Sequence, residues 1–201
     1  MNKNKRGHDH DHDEPIPQKD TKYYESFIKL SKERAIFINT DFTKEMASGL
    51  TALLLNYDHQ DQTKDITIYI NSHGGDASAI ACIYDIIQMI SAPVKTVGMG
   101  KIYSAGAFLL CAGTKGKRYL YPNAEVMIHK LQVGFPIIGK NSLDQQTYLE
   151  FLNEVNNNLL TILSNHTGQT IEKIRQDFTS THDIYLDAKQ AVAYGLADHI
   201  L

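Results

Sequence analysis

Ser104 stands in GMGKIYSAGAFLL, residues 98–110, where an apolar strand gives way to a helix built from Ala and Gly. A serine hydroxyl becomes a nucleophile when a base takes its proton and paired donors hold the oxyanion that forms. This setting supplies part of that chemistry. Ala105, Gly106 and Ala107 let the backbone approach a substrate closely. A helix start also presents unpaired N–H groups and a positive dipole end. The same small residues also ease helix packing, so Ser104 gains meaning only from what lies near it.

One strand earlier, NSHGGD places Gly74 and Gly75 in another strand-to-helix turn. Glycines there allow unusual φ/ψ and aim bare N–H groups at a ligand. Successive turns of this kind tend to lie side by side at the carboxyl edge of an α/β sheet. A base is needed next, and nine histidines are available. His8, His10 and His12 lie in a polar run, His59 in a polar loop, and His199 near the last residue. His166, at a helix end before Thr-Gly, suits a capping role. His129 differs because it ends the apolar strand AEVMIH, and strand ends are where α/β sites form. A third group must orient the imidazole and stabilise the imidazolium. Asp183, in STHDIYLDA, fits, while Asp177 and Asp187 compete with it. Asp187 reads more naturally as an N-cap for AKQAVAYG. Periodicity does not choose among the three.

The elements that must position these residues follow from hydrophobic period and turn chemistry. Helix is expected from Tyr23 through Glu33, strand over 35–39, and an amphipathic helix over 43–56. The polar run YDHQDQTKD reads as a loop. A β-branched strand at 65–71 leads to a helix over 77–90, and Pro93 precedes a strand at 94–100. The Ser104 helix ends near TKGK, and RYLYP and AEVMIH give two short strands. A long helix is expected over 143–166 with Gly168 as its C-cap, then shorter helices near 170–177 and 187–194. Strands alternating with helices imply an α/β domain with a largely parallel sheet.

The chain has 201 residues, 42% hydrophobic and 21% charged, which suits one soluble domain. Residues 1–22 read as a disordered, solvated, His/Asp-rich tail, and 23–201 as a single domain. A formal charge of −3 argues against nucleic acid as a partner. The longest apolar run, AGAFLLCAG, is about half of what a membrane span needs. MNKNKRGHDHDHDEPIPQKD has no signal-peptide core, so a cytoplasmic protein is expected. Cys82 and Cys111 read as small core residues of a reducing compartment, with no disulfide and no metal site.

Three blocks carry a family resemblance: INSHGGDASAIACIYD, then GMGKIYSAGAFLLCAGTKGKRYLYPNAEVMIH, then HTGQTIEKI with AVAYGLADHIL. Together they resemble the Clp protease proteolytic subunit from about Tyr23 to Leu201, nearly without gaps between Ile66 and His129. The resemblance implies a ClpP/crotonase-like fold of stacked ββα units with a protruding handle helix. It implies a serine endopeptidase with Ser104 as nucleophile, His129 as base and Asp183 as acid. The backbone amides of Gly75 and Ala105 would hold the oxyanion. It further implies a homo-oligomer of two stacked heptameric rings, a Clp-type AAA+ ATPase partner and polypeptide substrates, with no nucleic acid or membrane. No cofactor is expected. ATP would be used by the partner, since the chain has no G-x-x-x-x-G-K-[ST] loop.

Four departures from the family pattern stand out. His73 replaces a usual proline, and Thr181 and His182 replace an Asp-Arg pair associated with ring-ring contact. The segment KLQVGFPIIGKN after His129 is bulkier than usual and contains Pro136. Tyr69 is kept where partner docking is expected, but Thr67 and Met89 occupy positions that are often aromatic. Two rival functions remain: a catalytically silent ring subunit, and a crotonase-type acyl-CoA enzyme. The complete Ser/His/Asp set argues against the first. The second should lack the Ser104/His129 pairing.

Overall fold

The central strand β2 (Ile66–Ser72) shows why the sheet forms where it does. Ile66, Ile68 and Ile70 alternate with half-buried Thr67 and Tyr69, and the three isoleucines are fully buried. Burying each such side chain contributes about 1.5–3 kcal/mol. The computed structural model describes residues 18–129, 142–179 and 183–201. The histidine-rich run before Gln18, the Pro136 segment, and Thr181 with His182 lie outside the described residues.

The chain divides into a unit ending at Glu33 and a unit from Arg34 to Leu201. In the first, helix α1 spans Gln18–Lys32 and so begins before the expected Tyr23. Lys29 and Lys32 in its last turn suit the negative end of the helix dipole.

In the second unit, β1 (Ala35–Ile38), β2, β3 (Val94–Tyr103), β4 (Arg118–Leu120) and β7 (His199–Ile200) lie in that order, each pair parallel. β5 (Glu125–Ile128) pairs with the far half of β3, and β6 (Ile184–Asp187) pairs antiparallel with β5. Helices α2 (Lys44–Gln60), α3 (Ala77–Met89), α4 (Ala105–Ala112) and α5 (Ser142–Thr167) pack in succession, α2 on α3, α3 on α4 and α4 on α5. Helices α6 (Ile171–Thr179) and α7 (Ala188–Tyr194) follow.

β3 is longer than its expected span. Its register against β2 slips between Ile70↔Gly98 and Ser72↔Ile102, around Gly100 with φ +66°. The slip lets the first half of β3 pair with β4 and the second half with β5. The result is to deliver Ser104 beside β5. In α5, Leu160 and Leu163 are buried while Gln146, Glu150, Phe151 and Glu154 nearer its start are exposed. Gly168 closes this helix, donating its N–H to Ser164 O at 3.0 Å.

Three expectations need correction. The run YDHQ is helix, not loop, because Tyr57 extends the buried stripe of Leu50 and Leu54 by one further turn. Its carbonyl accepts from Arg34 Nη1 at 2.7 Å. Cys82 is exposed, whereas Cys111 is buried. The buried stripe of α3 is Ala79, Ile80, Ile83 and Ile87, and position 82 falls off it. Strands β6 and β7 went unforeseen; β6 has no fully buried residue to mark it, and β7 has only two residues.

Arg118 ties the far side of the sheet together. Its Nη2 meets Asp198 Oδ1 at 2.6 Å, its Nε donates to Asp198 Oδ2 at 2.9 Å, and Nη1 donates to His166 O at 3.0 Å. Thus one buried cation holds β4, the end of α5 and the segment before β7. Among the described residues no helix is long and apolar enough to cross a membrane.

Candidate active site

Ser104 has φ 53° and ψ −117°, a backbone state that L-residues avoid. Such strain costs on the order of 1–3 kcal/mol and persists only where the surroundings impose it. Here the surroundings are two strands. Ser104 N donates to Met127 O at 2.8 Å, extending the Tyr103↔Met127 pairing, and Ser104 O accepts from Ala107 N at 2.9 Å to open α4. Although Ser104 is the N-cap of α4, its side chain makes no capping hydrogen bond. Its hydroxyl is therefore not committed to the helix. Ala105, the first residue of α4, carries one of the amides that a helix leaves without an internal acceptor.

The Gly74–Gly75 turn sits directly against this serine. A Cβ on Gly74 would lie 2.7 Å from Ser104 Cβ and 3.1 Å from its Oγ. A Cβ on Gly75 would lie 2.4 Å from Phe42 O, and its φ is +145°. Phe42 pairs with Gly75 as a parallel bridge: Phe42 N donates to Gly74 O at 2.8 Å, and Asp76 N donates to Phe42 O at 2.9 Å. In a parallel bridge the flanking residues make these bonds, which leaves the N–H of Gly75 turned away from Phe42. Ser72 Oγ donates to Thr40 O at 2.7 Å and accepts from Gly74 N at 3.1 Å. Asp76 caps α3 through Ser78 N and Ala79 N.

His129 directly follows β5 and is half-buried; Asp183 directly precedes β6 and is exposed. The antiparallel register runs from Glu125↔Asp187 to Ile128↔Ile184. One further step along it reaches His129 and Asp183. Ser104, the glycine turn, His129 and Asp183 thus belong to one edge of the sheet.

The competing acids have structural partners. Asp177 accepts from Lys173 Nζ at 2.5 Å and from Tyr194 Oη at 2.8 Å. Asp187 forms a full capping box with Gln190 at the start of α7. His166 is likewise occupied: its Nε2 lies 3.0 Å from Tyr84 Oη. Burial, followed by the charge of Arg118, holds its imidazole below the ordinary value of 6.5.

Beside the nucleophile, Tyr103 donates its hydroxyl to Glu125. That bond, with smaller contributions from burial and nearby groups, pushes the phenol up to about 12. A cavity of about 280 Å³ lies at the other end of β5 and β6, lined in part by Pro122, Glu125, Tyr185 and Asp187, and does not include Ser104. Among the described residues no group of three or more His, Cys, Asp or Glu side chains is arranged to hold a metal.

A family comparison bears on the whole arrangement. The Clp protease family model matches residues 18–201. The chain belongs to the Clp protease family. Its α/β sheet, with helices stacked in chain order and the long helix α5, is the Clp protease fold. Of the positions where the resemblance leads one to expect partner docking, Tyr69 stacks on Phe37 at 4.9 Å, Thr67 is half-buried, and Met89 is 64% exposed.

Phe42 and Ser72 escaped sequence reasoning as site residues. Ser72 at least lies inside NSHGG and could have been suspected. Phe42 lies in a connecting stretch with no pattern of its own, and only the bridge to Gly75 reveals its part.

Proposed function

We propose that this chain is a serine endopeptidase subunit of the Clp type. Ser104 Oγ attacks the scissile carbonyl, His129 takes its proton and later gives it to the leaving amine, and Asp183 holds the imidazole in the required tautomer. The N–H groups of Gly75 and Ala105 stabilise the oxyanion. The observation that carries this reading is the strained, uncapped Ser104 pressed against the Gly74–Gly75 turn. A serine serving only to start a helix would use its side chain as the cap and would not need left-handed backbone.

Substrates are unfolded polypeptides in this reading, hydrolysed inside two stacked heptameric rings and delivered by a AAA+ unfoldase that consumes the ATP. The chain itself uses no cofactor, and it works in the cytoplasm. Family membership supports a ring assembly working with a Clp ATPase. The test is substrate class. Purified protein should cleave fluorogenic peptides and, with a Clp ATPase and ATP, degrade an unfolded protein. Turnover of an acyl-CoA thioester without peptide cleavage would establish the crotonase-type alternative; no turnover of either would point to the silent ring subunit.

Gly75→Ala provides a separate check on the oxyanion donors. The new Cβ cannot coexist with Phe42 O at 2.4 Å, so the turn must shift and its amide with it. Peptide cleavage should fall about 10²–10³-fold, the usual cost of losing one such donor. Cleavage within twofold of the parent would argue that this amide takes no part.

A further inference from the structure

Two glycines in succession leave the amide-bearing turn with no side chains to hold it, and at φ +109° and +145° neither position accepts another residue without strain. On one side the turn is fixed by the Phe42 bridge and Ser72 Oγ. On the other it leans on Ser104, with no hydrogen bond between the two turns among those the described residues show. The residue just before the glycines is His73. Its exposed imidazole meets the Tyr103 ring at a centroid distance of 5.5 Å and an interplanar angle of 66°.

Tyr103 is a fixed object to lean on. It is 8% exposed, donates its hydroxyl to Glu125 on β5, and meets Tyr185 on β6 edge-on at 5.8 Å. Lys101 Nζ lies 5.5 Å from the same ring. The Tyr103 ring is therefore anchored by the two strands that lead to His129 and Asp183, and it immediately precedes Ser104. A ring contact from His73 to Tyr103 ties the end of β2 to that frame, next to the turn that carries Gly75. Edge-to-face contacts of this kind are directional, so they fix position as well as adding attraction.

We propose that His73 is a positioning residue: by packing edge-on against Tyr103 it sets the Gly74–Gly75 turn relative to Ser104. This rests on the serine-peptidase reading above. The contact is aromatic, and the ring edge is what the turn requires. His73 is solvent-exposed, so substitutions there leave the core untouched.

The test compares His73→Ala, His73→Gln and His73→Phe with the parent, reading kcat and KM for a fluorogenic peptide and the rate of Ser104 labelling by a fluorophosphonate. Misplacing a reacting group by about an ångström costs up to about 10²-fold. His73→Ala and His73→Gln should therefore lose about tenfold or more in kcat and in labelling rate, with KM within about twofold. His73→Phe should recover most of the loss. Thermal midpoints should stay together. If His73→Ala matches the parent, or His73→Gln recovers as well as His73→Phe, the aromatic brace is overturned while the peptidase stands. A parent chain that takes no label at Ser104 overturns the peptidase reading and this one with it.

Discussion

Ser104→Ala is expected to lower peptide cleavage by about 10⁶-fold, and His129→Ala by a similar factor, because nucleophile and base act as one unit. Asp183→Asn should cost about 10⁴-fold, since the amide favours the wrong imidazole tautomer. The double variant Ser104→Ala/His129→Ala should be no worse than either single one. Initial rates on a fluorogenic peptide measure all four. If Asp177→Asn, and not Asp183→Asn, gave the large loss, Asp183 would not be the orienting acid. The same serine allows a stability comparison. Its backbone at φ 53° penalises any Cβ, so Ser104→Gly should be more stable than Ser104→Ala by about 1 kcal/mol in urea unfolding.

The largest stability effect is expected at Arg118. Its side chain is 4% exposed and that of Asp198 is 14% exposed, so truncating the arginine removes two hydrogen bonds and the paired charge from a half-buried carboxylate and strands two carbonyls. Arg118→Ala should lower unfolding free energy by about 3–5 kcal/mol, the range for breaking a buried pair. Urea midpoints would measure it, and a loss below 1 kcal/mol would contradict the role given to this residue. The same network sets the response to acid. Burial opposes the Asp198 charge, but hydrogen bonds and charge from Arg118 outweigh it and hold the carboxyl below its ordinary 3.8. A depressed carboxylate contributes stability that is present above the unfolded value and lost as pH falls through the folded one. His166 is also depressed, mainly by burial, so protonating it opposes folding, and its contribution fades as pH falls below 6.5. Stability should therefore drop in two stages on acidification, the first near neutral and the second below about pH 4. A midpoint flat from pH 7 to 5 would remove His166 from the account.

Much of this fold was readable because its central elements carry strong patterns. Ile66, Ile68 and Ile70 announce a strand, Asp187 announces a helix start, and Gly168 announces a helix end. What stayed hidden depends on partners distant in sequence. Tyr57 extends α2 only because Arg34 and the core receive it, and Cys82 is exposed because the stripe of α3 runs through Ile83 and Ile80 instead. β6 shows no buried alternation, so only its pairing with β5 reveals it. The candidate site divides in the same way. Ser104, Gly75, Ala105 and His129 lie at strand ends and turns, where composition marks them. Periodicity could not separate Asp183 from Asp177 and Asp187; the family resemblance points to Asp183, and the other two have structural partners. His73 and Phe42 matter through contacts that no local pattern encodes.

The most direct test of the central claim is to treat the intact protein with a fluorophosphonate and map the adduct by peptide mass spectrometry. A single adduct on Ser104 is expected, formed rapidly in the parent and lost in His129→Ala. An adduct on another serine, or Ser104 labelling that persists unchanged without His129, would contradict it.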